Sequence, residues 1–159
     1  MRIVFISVLI ICSNLLFAQQ DVNTNYEDEE MEVLFGGKPK LPEKEIIPGN
    51  ILKMADKGSK VFLFSADNNA AIHSKDFIEE WGYWQVTPDA KDADFILKFH
   101  TRVKGFFNFR VKADFIDPAT SKVLYTTQEV RSVKDKNEPN RKRSAVKQLF
   151  EYVFKDNFK

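Results

Sequence analysis

Two histidines, His73 and His100, are the side chains best suited to proton transfer or metal binding in this chain of 159 residues. Their separation rules out the short H-x-H and H-x-x-x-H metal motifs. Asp89, Asp92 and Asp94 lie close together but lack the glycine and the ligand spacing of an EF-hand calcium loop. Glycine-rich phosphate loops and a G-x-S-x-G nucleophile motif are also absent. We therefore expect no catalytic residue, no metal and no cofactor, with an unfamiliar enzyme left open.

A second group of chemically active residues consists of cations on two predicted neighbouring strands. Its members are Lys98, His100, Arg102, Arg110 and Lys112. Side chains alternate between the two faces of a strand, so a hairpin would place all five on one face of a sheet. Such a face suits an anionic partner, for example an acidic glycan, a lipid headgroup or a carboxylate. The alternative, which the residues favour, is an ordinary solvated sheet face on which charged side chains prevent aggregation.

Aromatic residues surround Gly82 and form a possible ligand platform. Trp81, Tyr83 and Trp84 could stack against a sugar or a peptide, or they could fill the core at a helix-to-strand corner. We expect Trp81 to be buried and either Tyr83 or Trp84 to be partly exposed.

Three successive cations, Arg141, Lys142 and Arg143, begin the last predicted helix. The helix dipole disfavours positive charge there, so this basic helix start needs an acidic partner. The acidic run at residues 27–30 is one candidate, and we hypothesise that it folds back onto these cations.

The elements that position these residues follow from periodicity. An apolar strand at residues 61–65 precedes an amphipathic helix at residues 70–81, which Asp67 or Asn69 can cap. Four further strands are predicted at residues 83–86, 94–102, 107–115 and 123–133, and a helix capped by Asn140 ends the chain. The predicted fold is an α+β two-layer sandwich in the order β-α-β-β-β-β-α. Its sheet is mainly antiparallel and carries both helices on one face.

The N-terminus has the pattern of an export signal. Arg2 precedes an apolar run from Ile3 to Phe17, and Ala18 is the expected cleavage position, so residues 1–18 are predicted to be a signal peptide. An uncleaved anchor is the alternative. The chain's single cysteine, Cys12, lies in this segment, and lipidation at a faint lipobox there stays open. A mature chain without cysteine could form neither disulfides nor thiolate sites.

Residues 19–58 are predicted to be an acidic, proline- and glycine-containing flexible leader. Two apolar islands in it, at residues 33–35 and 46–47, could dock on the domain as added strands. Residues 51–54 could form either a helical turn or a first strand. The remaining residues, 59–159, are predicted to be a single α+β domain.

The order of motifs resembles a small exported domain of bacterial envelope proteins. In the sequence, WGYWQV is followed by DADFIL, by a hairpin and by IDPATSKVL. This order is similar to curli-secretion and penicillin-binding-protein-activator lipoproteins and to the TolB amino-terminal domain. Their helix ends in a glycine–aromatic pair, and their hairpin turn matches Asp117–Leu124. The resemblance covers about residues 60–158 and implies an envelope location and action through protein contacts rather than catalysis. This chain departs from the lipoproteins in lacking a clear lipobox.

These observations lead to one functional expectation. The protein is expected to be exported by a Gram-negative bacterium to the periplasm, the outer membrane or the medium, and to act there as a non-enzymatic protein-binding or assembly module. Its partner would be an envelope protein or a second copy, and a membrane only if Cys12 is lipidated or the signal stays uncleaved. Basic and acidic residues number 24 and 23 before Arg2 is removed, so nothing favours nucleic acid. The alternative function is carbohydrate or small-ligand binding at the aromatic corner and the cationic face.

Overall fold

A computed structural model describes residues 44–104, 108–134 and 138–159 of the chain. Its elements are α1 (Gly49–Met54), β1 (Lys60–Ser65), α2 (Asn68–Trp81), β2 (Gln85–Val86), β3 (Phe95–Lys104), β4 (Asn108–Ile116), β5 (Val123–Thr126), β6 (Val130–Arg131) and α3 (Arg141–Leu149). A short 3-10 turn, Ala90–Asp92, precedes β3, and α3 continues through a π-helical segment, Phe150–Phe154, into a last turn, Lys155–Asn157.

The strands form one mixed sheet in the order β2-β1-β3-β4-β5, with β6 paired to β4. Strand β1 is parallel to β2 and β3, because α2 carries the chain back across the sheet. The pairs β3–β4, β4–β5 and β4–β6 are antiparallel. The α+β fold with a mainly antiparallel sheet is therefore confirmed.

The long pair β3–β4 forms the centre of the sheet. It runs in continuous register from Ile96 opposite Ile116 to Lys104 opposite Asn108. The predicted alternation holds, since Phe95, Leu97 and Phe99 are buried together with Val111, Ala113 and Phe115. This apolar set forms the inner face, on which the helices pack.

The last predicted strand is not continuous. It divides into β5 and β6, and the register against β4 shifts between Phe115 and Ile116. At the interruption the Thr127 amide donates to the Ala113 carbonyl at 2.9 Å, and the Thr127 hydroxyl accepts from the Ala113 amide at 2.9 Å. The Thr127 side-chain oxygen thus replaces a backbone carbonyl as the acceptor. The regular strand pairing can end here while the buried Ala113 amide keeps a hydrogen-bond partner.

Helix α2 begins and ends at the residues that sequence signals indicate. The Asp67 carboxylate accepts from the Asn69 amide at 3.1 Å and caps its first turn. Gly82 ends the helix in the left-handed conformation, with φ of 64°, and its amide donates to the Ile78 carbonyl at 2.8 Å. This sharp end directs the chain into the aromatic corner.

The C-terminal helix supplies most of the aromatic cover of the sheet. Asn140 caps it as predicted, accepting from the amides of Lys142 and Arg143. Phe150, Phe154 and Phe158 are four residues apart and all buried. A π-helical segment hydrogen-bonds at i→i+5 and has a wider turn than an α-helix, so it keeps residues at this spacing on one side.

Residues 44–58 belong with the folded part rather than with a flexible leader. Ile47, Ile51 and Ala55 are at most 1% exposed and join the hydrophobic core. Of the two alternatives for residues 51–54, the structure has the helix, α1. We call residues 44–48 the strap. The Asn157 side chain accepts from the Ile47 amide at 3.0 Å and donates to the Glu45 carbonyl at 2.9 Å, fixing the strap to the last helical turn.

Candidate functional site

The two faces of the sheet differ in composition. The described helices pack on the inner face, whereas the other face is formed by the intervening residues of the strands. This outer face comprises Phe62, Phe64, Ile96, Lys98, His100, Arg102, Lys104, Arg110, Lys112, Asp114, Ile116 and Arg131, placed by the registers of the strands. None of the described helices packs on it.

One end of the outer face is apolar. Phe62, Ile96 and Ile116 are neighbours in register across β1, β3 and β4 and form an apolar row. Next to this row, the Phe64 ring is 48% exposed and lies under the Lys98 ammonium, whose nitrogen is 5.8 Å from the ring centroid. Aromatic surface beside an ammonium group can contact apolar and anionic groups of one partner at once.

The other end of the outer face is cationic. His100 is opposite Lys112, and Arg102 is opposite Arg110, which in turn faces Arg131 on β6. The structure thus brings together the five predicted cations of the hairpin. Whether they bind a ligand stays a prediction.

His100 pairs with a buried carboxylate. Its Nε2 lies 2.6 Å from Asp114 Oδ2, and the Thr126 hydroxyl donates to the other oxygen, Oδ1, at 2.8 Å. A carboxylate can orient a catalytic histidine, but a nucleophile must then contact the imidazole. The Thr126 hydroxyl contacts the carboxylate instead. The arrangement therefore holds the imidazole in place.

Glu129 is a residue of this site that the sequence analysis missed. Its Oε2 accepts from Arg102 at 2.5 Å and from Arg110 at 3.3 Å. Burial raises the pKa of the Glu129 carboxyl, but the bonds from the two guanidinium groups outweigh it and leave the pKa below its ordinary value. Two of the predicted cations are consequently ion-paired. No sequence signal predicts this, because Glu129 lies in the irregular link between β5 and β6.

The aromatic corner is arranged differently from the prediction. Trp84 is only 3% exposed, and its indole nitrogen donates to the Ala55 carbonyl at 2.7 Å. Trp81 and Tyr83 are half-buried and stack with centroids 4.8 Å apart. Burial raises the pKa of Tyr83, as does the nearby Asp56 carboxylate. Trp84 is a core residue, since its ring contacts the core phenylalanines Phe95, Phe154 and Phe158. The prediction that Trp81 would be buried is therefore wrong.

The basic helix start has partners within the domain. Lys142 Nζ is 2.8 Å from Asp67 Oδ2, and Arg143 contacts Asp76 at 2.7 Å and Glu138 at 3.0 Å. The bond from Lys142 lowers the pKa of Asp67. These carboxylates offset the unfavourable interaction of the cations with the helix dipole, so an acidic leader is not needed for it. Residues 27–30, the proposed partner, lie outside the described residues.

Two carboxylates of the acidic turn before β3 accept hydrogen bonds from backbone amides. Asp89 Oδ1 accepts from the Lys91 amide at 2.9 Å, and Asp94 Oδ2 accepts from the Lys60 amide at 2.7 Å. Over the ranges that the structure describes, histidines and carboxylates form no cluster of three that could hold a metal ion.

A serine–lysine pair with S-x-x-K spacing, Ser144 and Lys147, also occurs in α3. Such a serine is a nucleophile in some hydrolases. Here Ser144 is buried, and its hydroxyl donates to the Val133 carbonyl at 2.9 Å and accepts from the Val133 amide at 3.1 Å. Its role in this fold is to join α3 to the strand side of the domain.

Among residues 44–104, 108–134 and 138–159, no helix is long and apolar enough to cross a bilayer.

Comparison with known proteins finds no matching family model and no matching curated protein. Among solved structures, an uncharacterized lipoprotein B from Nitrosomonas europaea is 16% identical over 70% of this chain and 92% of its own, with a TM-score of 0.45. PelC from Paraburkholderia phytofirmans, a dodecamer, is 13% identical over 68% of this chain and 92% of its own, with a TM-score of 0.42. TolB from Acinetobacter baumannii is 12% identical over 64% of this chain and 28% of its own, with a TM-score of 0.43. Similarity of this size assigns neither a family nor a function to the chain.

Proposed function

We propose that this chain is an exported, non-enzymatic protein of the bacterial envelope that binds a partner protein through the outer face of its sheet. The observation that carries the proposal is the composition of that face, an apolar row continued by cationic rows on a side of the sheet that no described helix covers. The signal-like segment at residues 1–18 supports export.

The side chains of the outer face indicate which residue types its partner should carry. The apolar part of the face consists of Phe62, Phe64, Ile96 and Ile116. Removing apolar surface from water stabilises a complex by about 25 cal/mol per Å², so a partner that covers these side chains binds more tightly. Lys98 and Lys112 add positive charge beside the pairs that His100 and the arginines form with Asp114 and Glu129. The expected partner segment therefore carries apolar residues next to several carboxylates.

A photo-crosslinking residue at position 64 tests this proposal in the cell envelope. We expect a discrete adduct from position 64, whose cross-linked peptide, identified by mass spectrometry, has apolar residues beside carboxylates. Lys98→Glu and Lys112→Glu should remove the adduct because they reverse charges on the same face. The control places the photo-crosslinker at Ile72, which is 57% exposed on α2, away from the outer face. The same adducts from both positions, or none from position 64, would overturn the proposal.

The alternative of a carbohydrate or small-ligand site has less support. It was predicted at the aromatic corner together with the cationic face, and at the corner Trp84 is buried and so cannot contact a ligand. The remaining stacked pair, Trp81 and Tyr83, is half-buried, and its partners in the structure are Trp84, Phe150 and Phe158.

A further inference from the structure

We propose that the partner of the outer face is a second copy of this chain, bound face to face with its strands antiparallel to those of the first. The inference rests on the proposed function, because it names the partner of the same face. Its basis is the order of acidic, apolar and cationic side chains along the strands. This order is complementary to itself when one copy is rotated so that its strands run in the opposite direction.

The outer face begins with carboxylates, just before the apolar row. The Asp94 amide donates to the Lys60 carbonyl at 2.8 Å, so these two residues continue the pairing of β1 and β3 by one position. Asp94 is exposed and lies two residues before Ile96, which places its side chain on the same outer side. Asp92, in the 3-10 turn, is exposed at the same end. Along β3 the outer face therefore changes from carboxylates, through Ile96, to the ammonium group of Lys98.

The apolar row crosses the sheet from β1 to the edge strand β5. Its members Phe62, Ile96 and Ile116 are followed in register by Val123, which is 54% exposed. When a twofold axis runs along such a row, the row of one copy lies over the row of the other. The interface is then isologous, and the two copies bury the same apolar residues against each other.

Charge selects the direction of the twofold axis. An axis parallel to the strands would place the cationic rows of the two copies over each other, which is unfavourable. An axis along the apolar row reverses the strands of the second copy. Lys98 then lies over Asp94 of the other copy, because each is two residues from Ile96. The same rotation places Lys60 over the Phe64 ring, whose face attracts an ammonium group.

Lys98 and Asp94 are both able to form this contact. Within the described ranges the Lys98 ammonium forms no ion pair and contacts the Phe64 ring instead. Asp94 Oδ2 accepts from the Lys60 amide at 2.7 Å. An ionised carboxylate has about four acceptor positions, so Asp94 can keep this bond and also accept from an ammonium group.

The size of the face suits a specific but weak dimer. The strands β1, β3, β4 and β5 are together about 20 Å wide, and the overlap from the row of Asp92 to the row of His100 is about 25 Å long. Each copy would bury about 500 Å², and the pair about 1,000 Å², which is near the lower limit for a specific interface. We therefore expect a dissociation constant in the micromolar rather than the nanomolar range.

Charge exchange between positions 94 and 98 tests the inference. Sedimentation velocity of the chain, purified after expression of the full sequence, should show a monomer–dimer equilibrium. Lys98→Glu or Asp94→Lys alone should weaken dimerisation at least about tenfold, since the twofold axis creates each like-charge contact twice. The double variant Lys98→Glu/Asp94→Lys should return the dissociation constant to within about threefold of the native value. Lys53→Glu, at an exposed position on α1, is the control and should leave it unchanged.

The photo-crosslinker at position 64 provides a second readout. Its adduct should have twice the mass of the chain, and the cross-linked peptide should contain Asp92 and Asp94 of the second copy. Circular dichroism shows whether a variant has unfolded the domain. If Asp94→Lys does so by losing the bond to the Lys60 amide, the exchange is made one row further on, with Asp92→Lys and Lys112→Glu.

A chain that stays monomeric would overturn the inference. So would a dimer that Lys98→Glu weakens no more than Lys53→Glu, or a double variant that dimerises no better than the single ones. A monomeric chain whose adduct from position 64 contains a different protein would contradict the second copy alone and leave the proposed function standing. A dimer that responds as expected, without any adduct in the envelope, would contradict the partner-binding function alone.

Discussion

At the scale of single residues, Trp84 is important for stability because it both packs in the core and hydrogen-bonds a buried backbone carbonyl. Trp84 fills the centre of the aromatic core and also satisfies the Ala55 carbonyl with its indole N–H. A buried carbonyl that loses its hydrogen-bond donor destabilises the fold, because it has been removed from water without a replacement partner. Trp84 therefore contributes to stability through both packing and hydrogen bonding.

Trp84→Phe should lower the free energy of unfolding by about 2 kcal/mol or more, since it strands the Ala55 carbonyl and leaves a cavity. Urea unfolding followed by circular dichroism measures the change. Trp81→Phe is the matched control and should cost clearly less, because the Trp81 ring is only half-buried. Equal losses in the two variants would show that the hydrogen bond is unimportant.

His73 is a residue whose protonation should affect stability near neutral pH. Burial lowers its pKa and the Arg143 guanidinium adds to this effect, while Asp76, Glu138 and Asp67 oppose it. A histidine with a lowered folded-state pKa binds fewer protons when folded than when unfolded. Its contribution to stability is therefore greatest above the unfolded pKa of about 6.5 and declines as the pH falls below that value.

The stability difference between the native chain and His73→Gln should accordingly shrink as the pH falls from 7.5 to 5. Urea unfolding across this range provides the measurement, and NMR titration of the His73 ring should give a midpoint below 6.5. A difference that stays constant with pH, or a midpoint above 6.5, would contradict the assigned environment.

At the scale of elements, the strap shows how a segment without regular structure becomes part of the core. Ile47 is buried, and the Asn157 side chain bonds to the backbone on both sides of residue 46 while also donating to the Val153 carbonyl at 2.8 Å. One amide side chain thus takes the place of a β-bridge partner.

Asn157→Ala should destabilise the domain by about 1–3 kcal/mol, because it leaves the Ile47 amide and the Glu45 carbonyl without this partner. Hydrogen exchange should show loss of protection at the Ile47 amide before other core amides. Asp156→Ala, at the exposed neighbouring position, is the control and should change neither quantity appreciably. Unchanged protection at Ile47 in the Asn157 variant would refute the clamp.

At the scale of the whole molecule, the position of the domain boundary becomes testable. Ile47, Ile51 and Ala55 contribute to the same core as the sheet and the helices. Fully burying one such isoleucine contributes about 1.5–3 kcal/mol, a large share of the 5–15 kcal/mol that stabilises a typical domain.

A chain starting at residue 59 should therefore unfold at much lower urea concentration than one starting at residue 44, or fail to fold. Both lack residues 1–43 and differ only in the strap, α1 and the following turn. Cooperative unfolding monitored by the fluorescence of Trp81 and Trp84 compares them. Equal midpoints would mean that residues 44–58 are dispensable, as the leader prediction implies.

Much of the fold could be predicted from this sequence because its signals are local. Alternation predicted the buried faces of β3 and β4, Asp67 and Gly82 marked the ends of α2, and Asn140 marked the start of α3. Side-chain direction in strands and the unsatisfied groups at helix ends depend on nearby residues alone, so a pattern of a few residues is sufficient.

Only the tertiary structure shows which residues contact each other when they are far apart in the chain. Glu129 forms ion pairs with Arg102 and Arg110, Asp67 with Lys142, and Asn157 holds the strap, across separations that no local pattern encodes. The sequence could therefore predict that cations share a sheet face, since register follows from alternation. The sequence could not predict which cations are ion-paired or which apolar segments enter the core. Both depend on contacts between elements that are distant in the chain.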